Sequence, residues 1–373
     1  MKRLITLILV LSLLLFLPAC TRDDTYTVED YRTAMTYYED FKILQLTDLH
    51  LGIECDLDAC LTQVKERILR EQPDLTVLTG DSFMYANKSS VRALFATLNE
   101  ACAEVTAERG ERVSKFAVTF GNHDNQGDYS RYYINRIIKS YATRDGDEIK
   151  DGKYAAFIDY ENDSLMGLTN YYIDLVDDIS APPSSVDVKY RLHIIDSNTY
   201  HFSGPDYDYD VIHEDQLAHV KAIREGATAD KDYIGIAFFH IPLHEFSEAW
   251  AQYESAQQPE LIGQGEFREG VLAGYENNGS YKALRDAGVV AFFTGHDHIN
   301  YGDFIYHADS QSVDERAIFS YGVKANTLLY HDADMIGYKT VTLKDVSLDT
   351  FLSIENVTEC FRNVREEENH AAN

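Results

Sequence analysis

Residues 41–50 read Phe-Lys-Ile-Leu-Gln-Leu-Thr-Asp-Leu-His, an apolar run of strand length that stops on an aspartate and a histidine. Behind it, Leu57 to Arg70 places Leu57, Leu61, Val64 and Ile68 at helical spacing, with Pro73 beyond its end, so a helix follows the strand. The unit then recurs. Asp74 to Thr79 is a strand ending on Gly80-Asp81, Val91 to Glu108 a helix, and Lys115 to Phe120 a strand ending on Gly121-Asn122-His123-Asp124. Strands alternating with helices predict an α/β domain with parallel pairing in its first half. Tyr190 to Asp196, Tyr233 to His240 and Val289 to Thr294 are further strand candidates, and Ala317 to Ile354 reads as consecutive antiparallel strands.

The chemistry sits where these strands end. Asp48-Leu49-His50, Gly80-Asp81, Gly121-Asn122-His123-Asp124, His240-Ile241-Pro242 and Gly295-His296-Asp297-His298 each follow an apolar run. Loops at the carboxyl ends of strands in open α/β sheets converge on one crevice, so these groups can meet in space. In an extended segment residues two apart point the same way, which would let Asp48 with His50, and His296 with His298, face one ion. Asp297 would then point away. The glycines before Asp81, Asn122 and His296 allow sharp turns where a Cβ would interfere.

Composition sets the frame for this reading. The chain has 373 residues, 33 Lys+Arg against 62 Asp+Glu, a net charge of −29, 45% hydrophobic residues and 7 Pro. That length holds one large or two ordinary domains with true cores. The acidic excess argues against nucleic-acid binding, which needs clustered cations to displace counterions.

Lys2 and Arg3 precede an apolar run from Leu4 to Leu17 that ends in Pro18-Ala19-Cys20. Residues 1–19 read as a signal peptide, and Leu17-Pro18-Ala19-Cys20 resembles the bacterial lipobox. That resemblance implies cleavage before Cys20 and lipidation of it, leaving a protein of the cell envelope, lipid-anchored to a bacterial membrane, with its catalytic domain outside the cytoplasm. An uncleaved anchor or plain secretion is the alternative. Residues 20–40 are then a lipidated, acidic spacer, 41–360 the catalytic domain and 361–373 a polar tail. The other cysteines, Cys55, Cys60, Cys102 and Cys360, lack zinc-type spacing and read as buried free thiols, with three disulfide pairings formally open.

The five blocks, in this order, resemble the calcineurin-like metallophosphoesterase superfamily, in its branch related to purple acid phosphatases. The resemblance covers roughly Phe41 to Tyr330. It implies a four-layer α-β-β-α sandwich of two mixed sheets flanked by helices, with a metal site at the carboxyl ends of the strands. It further implies that Asp48, His50, Asp81 and His298 hold one divalent ion while Asp81, Asn122, His240 and His296 hold a second, Asp81 bridging. The donor set suits Mn, Zn, Fe or Co. Met84 stands where purple acid phosphatases place a tyrosine ligand, with Tyr85 one residue on, which argues against an iron-tyrosinate centre.

The activity implied is hydrolysis of phosphate mono- or diesters by a water shared between the ions. His123 would protonate the leaving oxygen and Asp124 would orient its ring. His244 could line a substrate rim or be an ordinary loop histidine. A competing class is a non-catalytic surface-binding lipoprotein that keeps the fold. From Asn125 to Asp210 the chain is rich in tyrosine, including Tyr129, Tyr132, Tyr133, Tyr171, Tyr172, Tyr207 and Tyr209. These suit strands and half-buried surfaces more readily than a stacking platform. Residues 248–278 form a second polar insertion placed to touch substrate.

Overall fold

The computed structural model describes residues 28–52, 55–142, 152–158, 165–181, 186–226, 233–312, 315–343 and 352–358. The signal peptide, Cys20, Cys360 and the 361–373 tail lie outside them. No described helix is long and apolar enough to cross a membrane.

In chain order the strands are β1 (Arg32–Thr36), β2 (Lys42–Leu46), β3 (Leu75–Thr79), β4 (Lys115–Thr119), β5 (Tyr171–Val176), β6 (Val188–Ile194), β7 (Tyr200–Ser203), β8 (Asp206–Tyr209), β9 (Ile234–Phe238), β10 (Gly263–Phe267), β11 (Val289–Thr294), β12 (Asn300–Tyr306), β13 (Ala317–Tyr321), β14 (Gly337–Leu343) and β15 (Leu352–Thr358). Between them run the helices α1 (Leu57–Glu71), α2 (Lys88–Arg109), α3 (Arg131–Lys139), α4 (Glu214–Gly226), α5 (Glu245–Ser255) and α6 (Ser280–Asp286). One sheet has five strands in the order β15-β14-β2-β3-β4, and the other has eight in the order β1-β5-β6-β9-β11-β13-β12-β10. Both are mixed. The expected parallel pairing of β2, β3 and β4 is present, and β14 closes the five-stranded sheet antiparallel to β2.

The two-residue period of the strands divides the core. Ile236 and Phe238 of β9 and Ala291 and Phe293 of β11 pack with the five-stranded sheet and the stripes Leu61-Val64-Ile68 of α1 and Leu94-Leu98-Val105 of α2. Their alternates, Ala237, Phe239 and Phe292, pack instead with Val220, Phe246 and Leu284 of α4, α5 and α6. A helix layer on each outer side of two packed sheets follows from that alternation, as expected. Helix α2 starts before Val91 because the Asn87 side chain accepts from the backbone N–H groups of Ser89 and Ser90.

Two expectations fail here. The folded part begins before Phe41, because Arg32–Thr36, assigned to the spacer, forms β1 and pairs in parallel with β5. Arg32 Nε is fixed there by the buried Asp174 carboxylate at 2.7 Å. Nor does Ala317 to Ile354 form a run of antiparallel neighbours. Strand β13 lies parallel to β11 in one sheet while β14 and β15 lie in the other. The crossing segment is tied to both sheets, with Gly322 N–H donating to Thr294 O and Ala325 N–H to Thr47 O, and it carries Lys324, Asn326 and Tyr330 to the ligand-bearing loops.

Candidate metal centre

The five sequence blocks meet at one buried place. Asp48, His50 and His298 form one cluster of potential ligand atoms, and Asp81, His240 and His296 form another. In the first, Asp48 Oδ1 lies 3.6 Å from His50 Nε2 and 3.5 Å from His298 Nε2, and the two nitrogens are 2.9 Å apart. In the second, His240 Nε2 lies 3.2 Å from Asp81 Oδ2, 3.2 Å from Asn122 Oδ1 and 3.3 Å from His296 Nδ1. Asp81 Oδ2 also lies 3.9 Å from His50 Nε2, so one carboxylate oxygen faces both clusters.

Backbone conformation explains why these side chains converge. Asp48, His50, Asp81 and His296 have φ of 56°, 50°, 48° and 87°, a region that L side chains avoid and that surrounding structure must enforce. Here the enforcement comes from His50 N–H donating to Asp81 O at 2.9 Å and His296 N–H donating to Asp48 Oδ2 at 3.1 Å. The pleat argument for Asp48 and His50 is therefore wrong, since left-handed turns and not strand alternation bring them together. His296 and His298 likewise do not share one cluster but serve one each. Gly80 needs its freedom twice over, for its φ of 91° and because a Cβ would stand 2.5 Å from His240 Nδ1. Gly295 needs only the space, beside Thr47 Oγ1 and Asp48 Oδ2.

The donor chemistry fits divalent cations. His298 Nδ1 is 3.0 Å from Tyr330 O and His240 Nδ1 is 2.9 Å from Thr79 O. A carbonyl only accepts, so these nitrogens carry the protons and Nε2 of each ring aims into the cluster. Asp48 Oδ1 and Asp81 Oδ2 are buried and accept no hydrogen bond among the described residues. Acceptors facing acceptors in a buried space repel unless a cation lies between them. Burial, assisted by the Lys324 charge, pushes His50 down to about 3, and burial with the His240 charge does the same to His296, so both rings are neutral and able to ligate. Burial would also lower His240, but Asp81 and Asp48 outweigh it and raise the ring to about 10. The field at that point calls for positive charge.

His123 stands at the opening, its side chain 22% exposed and its Nε2 4.0 Å from Asp81 Oδ2. Its ring meets that of His50 edge to face at 5.3 Å. Asp124 does not orient it. The Asp124 carboxylate accepts from Phe83 N–H and Gly121 N–H, both at 2.8 Å, and so pins two ligand loops to each other. Burial and the Asp81 charge raise it to about 7. His244, the candidate rim residue, bonds through Nε2 to Gly274 O at 2.9 Å. Asp297 points away from the clusters as expected, but into the protein, where it receives the Tyr321 hydroxyl and, at 3.2 Å, Leu272 N–H.

Four participants were not assigned to the site from the sequence, although one of them, Tyr209, was noted there in the tyrosine-rich stretch. Asn122 Nδ2 donates to Tyr200 Oη at 2.8 Å, which turns Oδ1 toward His240. Tyr209 sits edge-on to His296 with centroids 4.2 Å apart, and Tyr330 stacks on His298 at 4.3 Å. Lys324 is buried and donates from Nζ to Asp48 O at 3.1 Å. Burial draws its pKa down to about 8 against the pull of Asp48 and Asp81. Tyr171 and Tyr172, by contrast, are core residues, and Cys55, Cys60 and Cys102 are free thiols.

Residues 41–300 match the family model described as calcineurin-like phosphoesterase. The chain is 30% identical over 287 residues to "Phosphatase DCR2" of Saccharomyces cerevisiae, an alignment covering 72% of this chain and 46% of the relative. It is 26% identical over 296 residues to "Probable inactive purple acid phosphatase 28" of Arabidopsis thaliana, covering 70% of this chain and 66% of that one. The chain thus spans about half the length of the yeast relatives it matches. A crystal structure of a dimetal phosphatase from Danio rerio superposes with a TM-score of 0.45 and 13% identity, covering 85% of this chain and 99% of the other.

Proposed function

Because the chain belongs to the calcineurin-like phosphoesterase family, we propose that it is a metal-dependent phosphatase that hydrolyses phosphate mono- or diesters. One observation carries this reading: Asp81 Oδ2, buried without a hydrogen bond among the described residues, faces ligand nitrogens of both clusters. Two divalent ions held there would polarise the phosphoryl oxygens and activate water. The protein supplies the rest. Asp81 spans the clusters, Asn122 is held in register by Tyr200, and His123 stands at the opening where a proton can pass to the leaving oxygen. A fold retained only for binding would give no reason to keep four ligand positions at positive φ.

The test is elemental analysis of the purified protein followed by assay of a phosphate-ester panel with Mn, Zn, Fe and Co. Near-stoichiometric loading with two ions and activity abolished by chelator support the reading. Full activity in chelator on metal-free protein refutes it.

We also propose, from residues 1–20 alone, that the protein is exported and lipid-anchored through Cys20 to a bacterial membrane. Two acyl chains at ~0.8 kcal/mol per buried CH₂ hold such an anchor. Cell fractionation checks this: the protein with its native signal should sediment with membranes, while Cys20→Ser should either stay unprocessed or be released. A wholly soluble protein whose mature terminus is not Cys20 refutes the anchor and leaves the phosphatase reading standing.

A further inference from the structure

The hairpin of β7 and β8 belongs to neither main sheet. Its register sets Tyr200 opposite Tyr209 and Phe202 opposite Tyr207. Opposed residues share a face, as do residues two apart, so all four rings stand on one side of the hairpin. They touch: Tyr200 lies 5.8 Å from Tyr209 and 5.5 Å from Tyr207 between centroids, and Phe202 lies 6.2 Å from Tyr207. The opposite side is anchored, with His201 stacked on Tyr275 at 3.9 Å.

The inner pair is part of the metal centre, Tyr200 through Asn122 and Tyr209 through His296. The outer pair, Phe202 and Tyr207, is 69% exposed at each residue. Large rings left open to water at one end of a face, whose other end holds two ligand residues, form a stacking surface continuous with the phosphoryl site.

We propose that this aromatic face binds the base of a nucleoside monophosphate, a substrate class that rests on the phosphatase reading above. The open rings stand one residue pair, about 7 Å along the strand, beyond the inner pair. An aromatic group stacked there needs a spacer between itself and the phosphate, which a pentose provides and a phenyl phosphate lacks. Asp206 and Asp208 are exposed on the same hairpin, and the chain carries a net charge of −29. Those charges oppose additional phosphates. Stacking tolerates every base, so the class is set by the ring and the spacer and not by base identity.

Two measurements test it. In the first, kcat/KM of the metal-loaded full chain is compared for adenosine 5′-monophosphate and glycerol phosphate in the wild type, in Phe202→Ala/Tyr207→Ala and in Tyr207→Phe. The double variant should lose about ten-fold or more on the nucleotide, through KM, with the glycerol ester unchanged and Tyr207→Phe near wild type. Equal losses on both esters, or none on the nucleotide, overturn the proposal. In the second, saturation-transfer NMR follows adenosine on the protein without added metal; binding that the double variant abolishes supports the platform, and no binding by the wild type overturns it. If adenosine binds through the hairpin yet no ester is hydrolysed, the phosphatase reading fails and the platform stands. If both esters are hydrolysed and adenosine does not bind, the platform alone fails.

Discussion

Asn122 and Tyr200 are joined by a 2.8 Å hydrogen bond in which the amide nitrogen donates to the phenol oxygen. This bond decides which way the amide faces, and it leaves Oδ1 3.2 Å from His240 Nε2. An amide free to flip would present its NH₂ to the cluster half the time and repel a cation. Tyr200→Phe should therefore weaken metal binding at the His240 cluster by about ten-fold while leaving the fold intact. Metal titration by calorimetry, with circular dichroism as the control for folding, checks this.

Removal of the shared carboxylate should be the most damaging single change. Asp81→Asn is expected to reduce bound metal from two ions toward one or none and to cut turnover by about 10³-fold or more. Elemental analysis and a phosphate-ester assay on the same sample give both numbers. A variant that kept two ions and near-wild-type turnover would show that Asp81 is not shared.

His123→Ala should separate chemistry from assembly. The residue lies at the opening and outside both clusters, so the variant should keep its metals and lose ~10²–10⁴-fold in turnover. The loss should be greater on alkyl than on aryl esters, because a phenolate leaves with less protonation. Equal losses on the two would limit His123 to an electrostatic contact.

Asp124→Ala should act on stability, because its carboxylate binds the Phe83 and Gly121 backbone and not the His123 ring. Stranding two buried N–H groups should cost about 2 kcal/mol or more. Thermal unfolding of the metal-free protein should show the loss. An unchanged melting temperature with collapsed turnover would return Asp124 to a role in the reaction.

Glu71 provides a pH test away from the metal centre. Burial tends to raise its pKa, but Tyr338 Oη donating at 2.7 Å and Lys42 Nζ at 3.0 Å lower it below the ordinary glutamate value of 4.5. A carboxylate depressed in the folded state contributes stability above its unfolded pKa and loses that contribution as pH falls through the folded value. Glu71→Gln should accordingly cost about 1–2 kcal/mol at pH 7 and progressively less below pH 4.5. Denaturant melts at several pH values would show a difference that shrinks with acid, and a constant difference would contradict the linkage.

Much of this protein was legible in residue order. The β2-α1-β3-α2-β4 unit follows from apolar runs of strand length alternating with 3.6-period stripes, because those periods are properties of single elements. The ligand blocks were legible for a related reason. Asp48, His50, Asp81, Asn122, His240, His296 and His298 each sit where a strand stops, and a parallel sheet gathers strand ends at one edge. Strand β1 was not legible, since five half-polar residues carry no period and owe their place to pairing with β5 and to the Asp174 carboxylate.

What residue order determined was the set of donor side chains and their places at strand ends, because donor chemistry belongs to each side chain wherever it lies. Tertiary structure alone decided how those donors are aimed and partnered. It set the left-handed backbone at Asp48, His50, Asp81 and His296, gave Asp124 to the backbone instead of to His123, and placed Tyr200, Tyr209, Lys324 and Tyr330 around the clusters. Those partners come from a hairpin and a crossing segment far along the chain. Their contacts depend on how two sheets pack, a long-range geometry that no local period encodes.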